Sequence, residues 1–157
     1  ADLLLARYAP DPLTGLLGRR AFLDQYQRMA AGPRRRRSGV VLLVLDVLHL
    51  KTINDRFGYM IGDEVLRTLA DALKETTRTT DLVARYGGDE FAVLLVDTGP
   101  AQASVITNRV KEKLSELSTR RGLPLMVECK IGIAGNLDPP VNVDDLLWVA
   151  DEDLRKR

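Results

Sequence analysis

Six consecutive residues, Val40-Val41-Leu42-Leu43-Val44-Leu45, constrain the fold more than any other stretch of this chain. The run is β-rich and shows no apolar–polar alternation, so a strand formed from it must be covered on both faces. It is far too short to span a bilayer. Cover is at hand in segments of helical period. After a turn at Asp11-Pro12-Leu13-Thr14-Gly15, residues Phe22, Leu23, Tyr26 and Met29 sit near helical spacing. A second helix is predicted from Gly62-Asp63 to about Thr77, burying Val65, Leu66, Leu69, Ala70 and Leu73. A third covers roughly 101–117, with Val105, Ile106, Val110 and Leu114 inward, and a last one covers 143–155. Further strands are predicted at 82–86, 91–96 and 125–134, and a loop holds Asn54, Asp55 and Gly58. The order helix-strand-helix-strand-strand-helix-strand-helix implies an α/β (α+β) domain, with a central sheet flanked by helices.

The 157 residues suffice for one domain that buries about 70% of its unfolded surface. The formal net charge is +1, so no large field of one sign recruits nucleic acid or an anionic membrane, and neither partner is expected. The dense basic run Arg34 to Arg37 lies between Gly32-Pro33 and Ser38-Gly39 and reads as a solvated loop. A single cysteine, Cys129, excludes an intramolecular disulfide and a cysteine-based metal site; it fits a reducing, cytoplasmic setting. No signal-peptide pattern opens the chain, which begins at Ala1. It reads as a piece of a longer protein: residues 1–10, with Leu3-Leu4-Leu5, as the tail of an incoming helix, and 11–157 as the domain.

Gly87-Gly88-Asp89-Glu90-Phe91 carries the chemistry. Adjacent carboxylates on a flat strand point to opposite faces, whereas on a tight turn they can converge. Two glycines let a ligand approach the backbone, and a divalent cation would relieve the repulsion between Asp89 and Glu90. A plain solvated hairpin tip is the other reading of this pentapeptide. A third carboxylate, Asp46, stands at the carboxyl end of the buried run, where α/β sheets place ligands. Acidic groups without competing nitrogen or sulfur suit Mg²⁺. If the hairpin pairs beside this strand, Asp46, Asp89 and Glu90 meet around one metal cluster, which could activate a hydroxyl and steady a leaving oxyanion.

Arg85-Tyr86-Gly87-Gly88-Asp89-Glu90-Phe91 resembles the signature of the GGDEF family of diguanylate cyclases. Residues 11–22, DPLTGLLGRRAF, are similar to that family's opening D-x-L-T-G-L-x-N-R-R-x-F. Asp46 through Asp55 resembles D-x-D-x-F-K-x-x-N-D, and Gly62-Asp63 the G-D that follows. Lys130-Ile131-Gly132-Ile133-Ala134 resembles S-I-G-I-A, and Ala150-Asp151 the A-D opening the last helix. The matches span nearly the whole chain in the family's order.

The resemblance implies a mostly antiparallel sheet of the nucleotidyl cyclase and polymerase palm type. It implies an Mg²⁺- (or Mn²⁺-) dependent enzyme joining two GTP molecules into cyclic di-GMP. The two half-sites would come from a homodimer, and an upstream sensory domain would control them. By the same resemblance Asp46, Val47, Asp89 and Glu90 hold metal, and Asp89 and Glu90 are catalytic. The segment from Val47 through Leu50 to Lys51 holds triphosphate, while Asn54 and Asp63 recognise guanine. A carboxylate can accept from guanine N1–H and N2–H₂ together, and an amide can meet its acceptors. An N-cap role for Asp63 and a turn role for Asn54 are compatible readings. Arg78-Thr79-Thr80-Asp81 matches the family's R-x-x-D product-inhibition motif; a charged pair at a helix end is the plain alternative.

The chain departs from the family pattern at several positions. Leu48 replaces the second acid of D-x-D, Leu50 the Phe, Tyr59 the usual His, Gly18 an Asn and Lys130 a Ser. His49 is read as a loop residue without a metal role. The family's phosphate-binding lysine falls just beyond Arg157, as in a last helix cut short. Leu48 motivates an alternative function, a GTP- or cyclic di-GMP-binding module without turnover. An interaction module using the arginine loop ranks last, because it leaves the carboxylates and glycines unexplained.

Overall fold

The computed structural model describes residues 8–31, 39–135 and 142–157. In chain order its elements are α1 (Arg19–Ala31), β1 (Val40–Val47), α2 (Leu50–Phe57), α3 (Tyr59–Thr76), β2 (Leu82–Arg85), β3 (Glu90–Val96), α4 (Pro100–Arg120), β4 (Cys129–Gly135) and α5 (Val143–Arg155). The strands form one antiparallel sheet in the order β2-β3-β1-β4. The unbroken apolar run is therefore an interior strand.

Both faces of β1 are covered. Leu43, Leu45 and Val47 pack with Val93, Leu95 and Ile131 under α3, α4 and Ile53 of α2. Leu42 and Val44 pack with Ala92, Leu94 and Ala134 under Phe22 and Tyr26 of α1 and under Leu146 and Ala150 of α5. Burying one such leucine contributes about 1.5–3 kcal/mol. The helices α2, α3 and α4 thus cover one face, and α1 and α5 cover the other. At Gly132 an added Cβ would lie 2.1 Å from the Ala150 carbonyl oxygen, so α5 crosses β4 at backbone contact. Asp153 of α5 accepts from the Ile133 amide at 2.8 Å, which engages one donor along the outer edge of β4.

Several local expectations are corrected. The segment around Asn54 is the helix α2 and not a loop: Leu50, Ile53 and Phe57 fall at helical spacing and pack on the core. His49 starts it with a left-handed φ of 63°, and Gly58 ends it with φ 92°. Because α3 begins at Tyr59 after Gly58, Asp63 lies inside that helix and is not its N-cap. The fourth strand starts at Cys129 rather than Leu125, since the Ser118 carbonyl and hydroxyl take the Leu123 and Val127 amides first. Val105 is 49% exposed, so the inner face of α4 is Ala103, Val110, Leu114 and Leu117, with Ile106 packed against it. Ala150-Asp151 lies within α5 and does not open it. Leu3 to Leu5 and Arg34 to Arg37 lie outside the described residues. Among the described residues no helix is long and apolar enough to cross a membrane.

Candidate metal centre and nucleotide site

The hairpin does pair beside the buried strand. Asp46 and Glu90 are the last directly opposed pair of β1 and β3, and opposed residues of an antiparallel pair share a face. One residue further, the Val47 amide donates to the Asp89 carbonyl at 3.2 Å. One carboxylate oxygen each from Asp46, Asp89 and Glu90 lies within 4.8 Å of the other two. All three donors are hard oxygens of negative charge, a set that fits Mg²⁺ or Mn²⁺.

The electrostatics agree with that fit. Burial pushes the Asp46 carboxyl above its ordinary range, Asp89 and Asp151 push it further, and Lys130 pulls it back. Burial also raises Glu90, followed by Asp46, Asp89 and Asp151, with Arg19 opposing. A divalent cation among these groups would reverse the sign of the local field. On the α1 and α5 side the centre opens into a cleft of about 430 Å³, bounded by Arg19, Tyr86, Asp151 and Arg155.

The hairpin is held from behind. Tyr86 and Gly87 amides both donate to the Glu90 carbonyl, at 2.8 and 3.1 Å. The Arg85 guanidinium donates to the Gly88 carbonyl at 2.7 Å and to the Asp11 carboxylate at 3.3 Å. Burial works against the Asp11 anion, but the Thr14 hydroxyl and amide and the Arg85 charge outweigh it and hold its carboxyl below the usual range. The Tyr86 ring meets Phe22 edge-on at 6.1 Å, with the Arg19 guanidinium 5.0 Å over its face. An added Cβ at Gly88 would meet nothing within 4 Å, so the tip is open to a ligand.

Asp11 and Arg85 stand in the sequence as motif letters only. Their ion pair joins residues 74 positions apart, which no spacing rule announces.

The residues expected to meet nucleotide fall on two packed helices. Asn54 is on α2 and Asp63 on α3, and an added Cβ at Gly62 would lie 1.7 Å from Asn54 Oδ1. The Asn54 amide therefore occupies the notch that Gly62 leaves, one residue from Asp63. Lys51 is exposed on the first turn of α2, and Leu50 is half-buried against the core. The Leu48 amide is taken by the Glu128 carbonyl at 2.9 Å, which ties the start of this segment to β4. His49 is exposed, as expected of a loop residue. Burial pushes the Cys129 thiol up to about 11, so it is inert at neutral pH.

Arg78 and Asp81 play unequal parts. The Asp81 side chain is 1% exposed and accepts from the Arg78 amide at 2.9 Å, the Val96 amide at 3.1 Å and Arg78 Nη2 at 3.4 Å. Arg78 is 54% exposed and also donates to the Val96 carbonyl and the Thr98 hydroxyl. The pair closes the turn into β2, and only the arginine has surface to offer a ligand.

The family model described as "Diguanylate cyclase, GGDEF domain" matches residues 8–157. The chain belongs to the GGDEF family. Among curated relatives, diguanylate cyclase DgcP of Pseudomonas aeruginosa is 37% identical over 78% of this chain and 18% of its own length. Cyclic di-GMP phosphodiesterase NbdA of the same organism is 34% identical over 83% of this chain and 16% of its own. This GGDEF domain thus spans under a fifth of either relative, and the two names denote opposite reactions. In solved structures, the GGDEF domain of DgcB from Caulobacter crescentus in complex with c-di-GMP superposes with a TM-score of 0.82 at 27% identity, covering 94% of this chain and 86% of that one.

Proposed function

We propose that this domain condenses two GTP molecules into cyclic di-GMP and two pyrophosphates. The observation that carries this reading is the convergence of Asp46, Asp89 and Glu90 within 4.8 Å at the open end of β1 and β3. A divalent cation held there would lower the pKa of a hydroxyl and neutralise charge on a transferring phosphoryl group.

In this reading Asp46 and Glu90, which share a sheet face, would hold the metal together with the Val47 backbone. Asp89, at the exposed tip, accepts the proton of the ribose 3′-hydroxyl. That oxygen bonds to the α-phosphorus of the facing GTP as the bond to the bridging oxygen breaks and pyrophosphate leaves. A second, symmetric transfer closes the ring. Lys51 and the backbone before it steady the triphosphate, and Asn54 with Asp63 select guanine. One domain holds one GTP, so turnover needs two copies facing each other. Arg78 receives the product as an inhibitor, with Asp81 fixing the turn that presents it. Use of GTP and Mg²⁺ would suit a cytoplasmic domain, and an upstream segment of the parent protein would carry the signal.

A second reading, binding without turnover, rests on Leu48, which leaves D-x-D with one acid. Incubation of the dimerised parent protein with GTP and Mg²⁺, followed by product chromatography, separates the two. Cyclic di-GMP that disappears in Asp89→Ala supports the cyclase; intact GTP supports the binding module.

A further inference from the structure

The row Glu90–Asp46 continues onto a third strand. Lys130 of β4 is the directly opposed partner of Asp46 on its other side. Opposed residues share a face, and the burial of β4 confirms it. Cys129 and Ile131 point into the α3 and α4 core, whereas Gly132 and Ala134 lie against the α5 side with Val44. Lys130 therefore stands on the same face as the Asp46 and Glu90 carboxylates. It is exposed, and among the described residues no ion pair or hydrogen bond engages its ammonium, although its charge reaches Asp46. The strand start that carries it is fastened to the segment after β1: Cys129 opposes Val47, and the Leu48 amide donates to Glu128.

The charge balance of the site asks for such a group. Three carboxylates and a triphosphate of about four negative charges, set against two divalent cations, leave about three negative charges unmatched. Lys51 supplies one cation, while Arg19 and Asp151, which also line the cleft, offset each other. A flexible ammonium beside the row of Asp46 and Glu90, engaged by none of the described residues, is suited to a phosphate oxygen as a point charge.

We infer that Lys130 is a phosphate ligand of the nucleotide site, contacting the triphosphate on the side away from Lys51. The inference rests on the GTP-binding reading above and adds to it a residue at which the chain departs from the family's serine. A lysine that only guards the edge of β4 against strand pairing would not touch nucleotide.

The test is calorimetric titration of the 157-residue chain with Mg²⁺ and a non-hydrolysable α,β-methylene GTP analogue, with guanosine as the phosphate-free probe. Losing one charge-assisted contact in Lys130→Ser should weaken the analogue about tenfold or more, leave guanosine binding unchanged, and be largely restored in Lys130→Arg. Mn²⁺ alone, followed by electron paramagnetic resonance, should bind Lys130→Ser at least as tightly as the wild type, because a like charge beside the cation has gone. Unchanged analogue affinity in Lys130→Ser, or an equal loss for guanosine, overturns the assignment and leaves the proposed function standing. Failure of the wild-type chain to bind the analogue overturns both.

Discussion

Asp46 and Glu90 face each other as the final cross-strand pair of β1 and β3, and each is held above the ordinary carboxyl range by burial first and by neighbouring acids second. The folded metal-free domain therefore binds these protons more tightly than the unfolded chain. Its stability falls as pH rises from the unfolded carboxyl range through the raised folded values, and the penalty is complete above them. Asp46→Asn should raise the metal-free melting temperature at pH 7.5 by about 2 °C and lack the further rise expected of the wild type with Mg²⁺ or Mn²⁺. Scanning fluorimetry with and without metal reads both effects. A lower metal-free melting temperature in Asp46→Asn contradicts the electrostatic account.

Substitution at Gly62 is a way to tell recognition by Asn54 apart from folding. An added methyl at this position meets the terminal oxygen of Asn54, a side chain free to rotate, and not backbone. Gly62→Ala should keep the melting temperature within about 2 °C while weakening guanine nucleotide at least about fivefold, since the displaced amide loses a hydrogen bond of about 1 kcal/mol or more. Titration with GTP and with guanosine should show the same fold loss for both. A loss confined to GTP would place Asn54 at the phosphates.

Arg78 and Asp81 should part company on mutation. Asp81→Ala strips the acceptor from two backbone amides in a buried setting and should cost about 2–4 kcal/mol. Arg78→Ala removes a half-exposed side chain and should cost about 1 kcal/mol or less, yet relieve product inhibition without lowering the initial rate. Urea unfolding and progress curves with added cyclic di-GMP measure the two effects. Feedback that persists in Arg78→Ala removes the product site from this turn.

The Arg85 guanidinium joins the opening turn to the Gly87-Gly88 hairpin through Asp11 and the Gly88 carbonyl. Arg85→Ala leaves a mostly buried carboxylate held by Thr14 alone and should destabilise by about 2 kcal/mol. At a temperature where the variant stays folded, its cyclisation rate should still drop, because the tip carrying Asp89 has lost its rear support. Arg85→Lys, a point charge without the fork, should recover part of the stability and less of the rate. An unaltered rate in folded Arg85→Ala would make the clamp purely structural.

Local signals account for what the sequence discloses. The run from Val40 to Leu45 has no alternation, and only an interior strand satisfies it. Gly87-Gly88 between two apolar stretches is hairpin chemistry, and once the hairpin pairs with β1 the meeting of Asp46, Asp89 and Glu90 follows. The misread segments are those where two signals compete. Asn54-Asp55 with Gly58 is turn chemistry, yet Leu50, Ile53 and Phe57 supply enough apolar face for the α2 helix. Leu125 to Val127 is apolar enough for a strand, but Ser118 captures its amide from the end of α4. Other relations depend on register or on distant contacts. The Asp11–Arg85 pair and the placement of Lys130 across from Asp46 require knowing which strands are neighbours and in what phase.

The central claim is that Asp46, Asp89 and Glu90 form one metal centre beside the triphosphate. A crystal of this chain grown with Mn²⁺ and the α,β-methylene GTP analogue tests it through anomalous scattering. The account predicts a peak at coordination distance, about 2.0–2.4 Å, from carboxylate oxygens of both Asp46 and Glu90, in contact with the analogue's phosphates. A nucleotide bound with its metal elsewhere, and these carboxylates unligated, would contradict it.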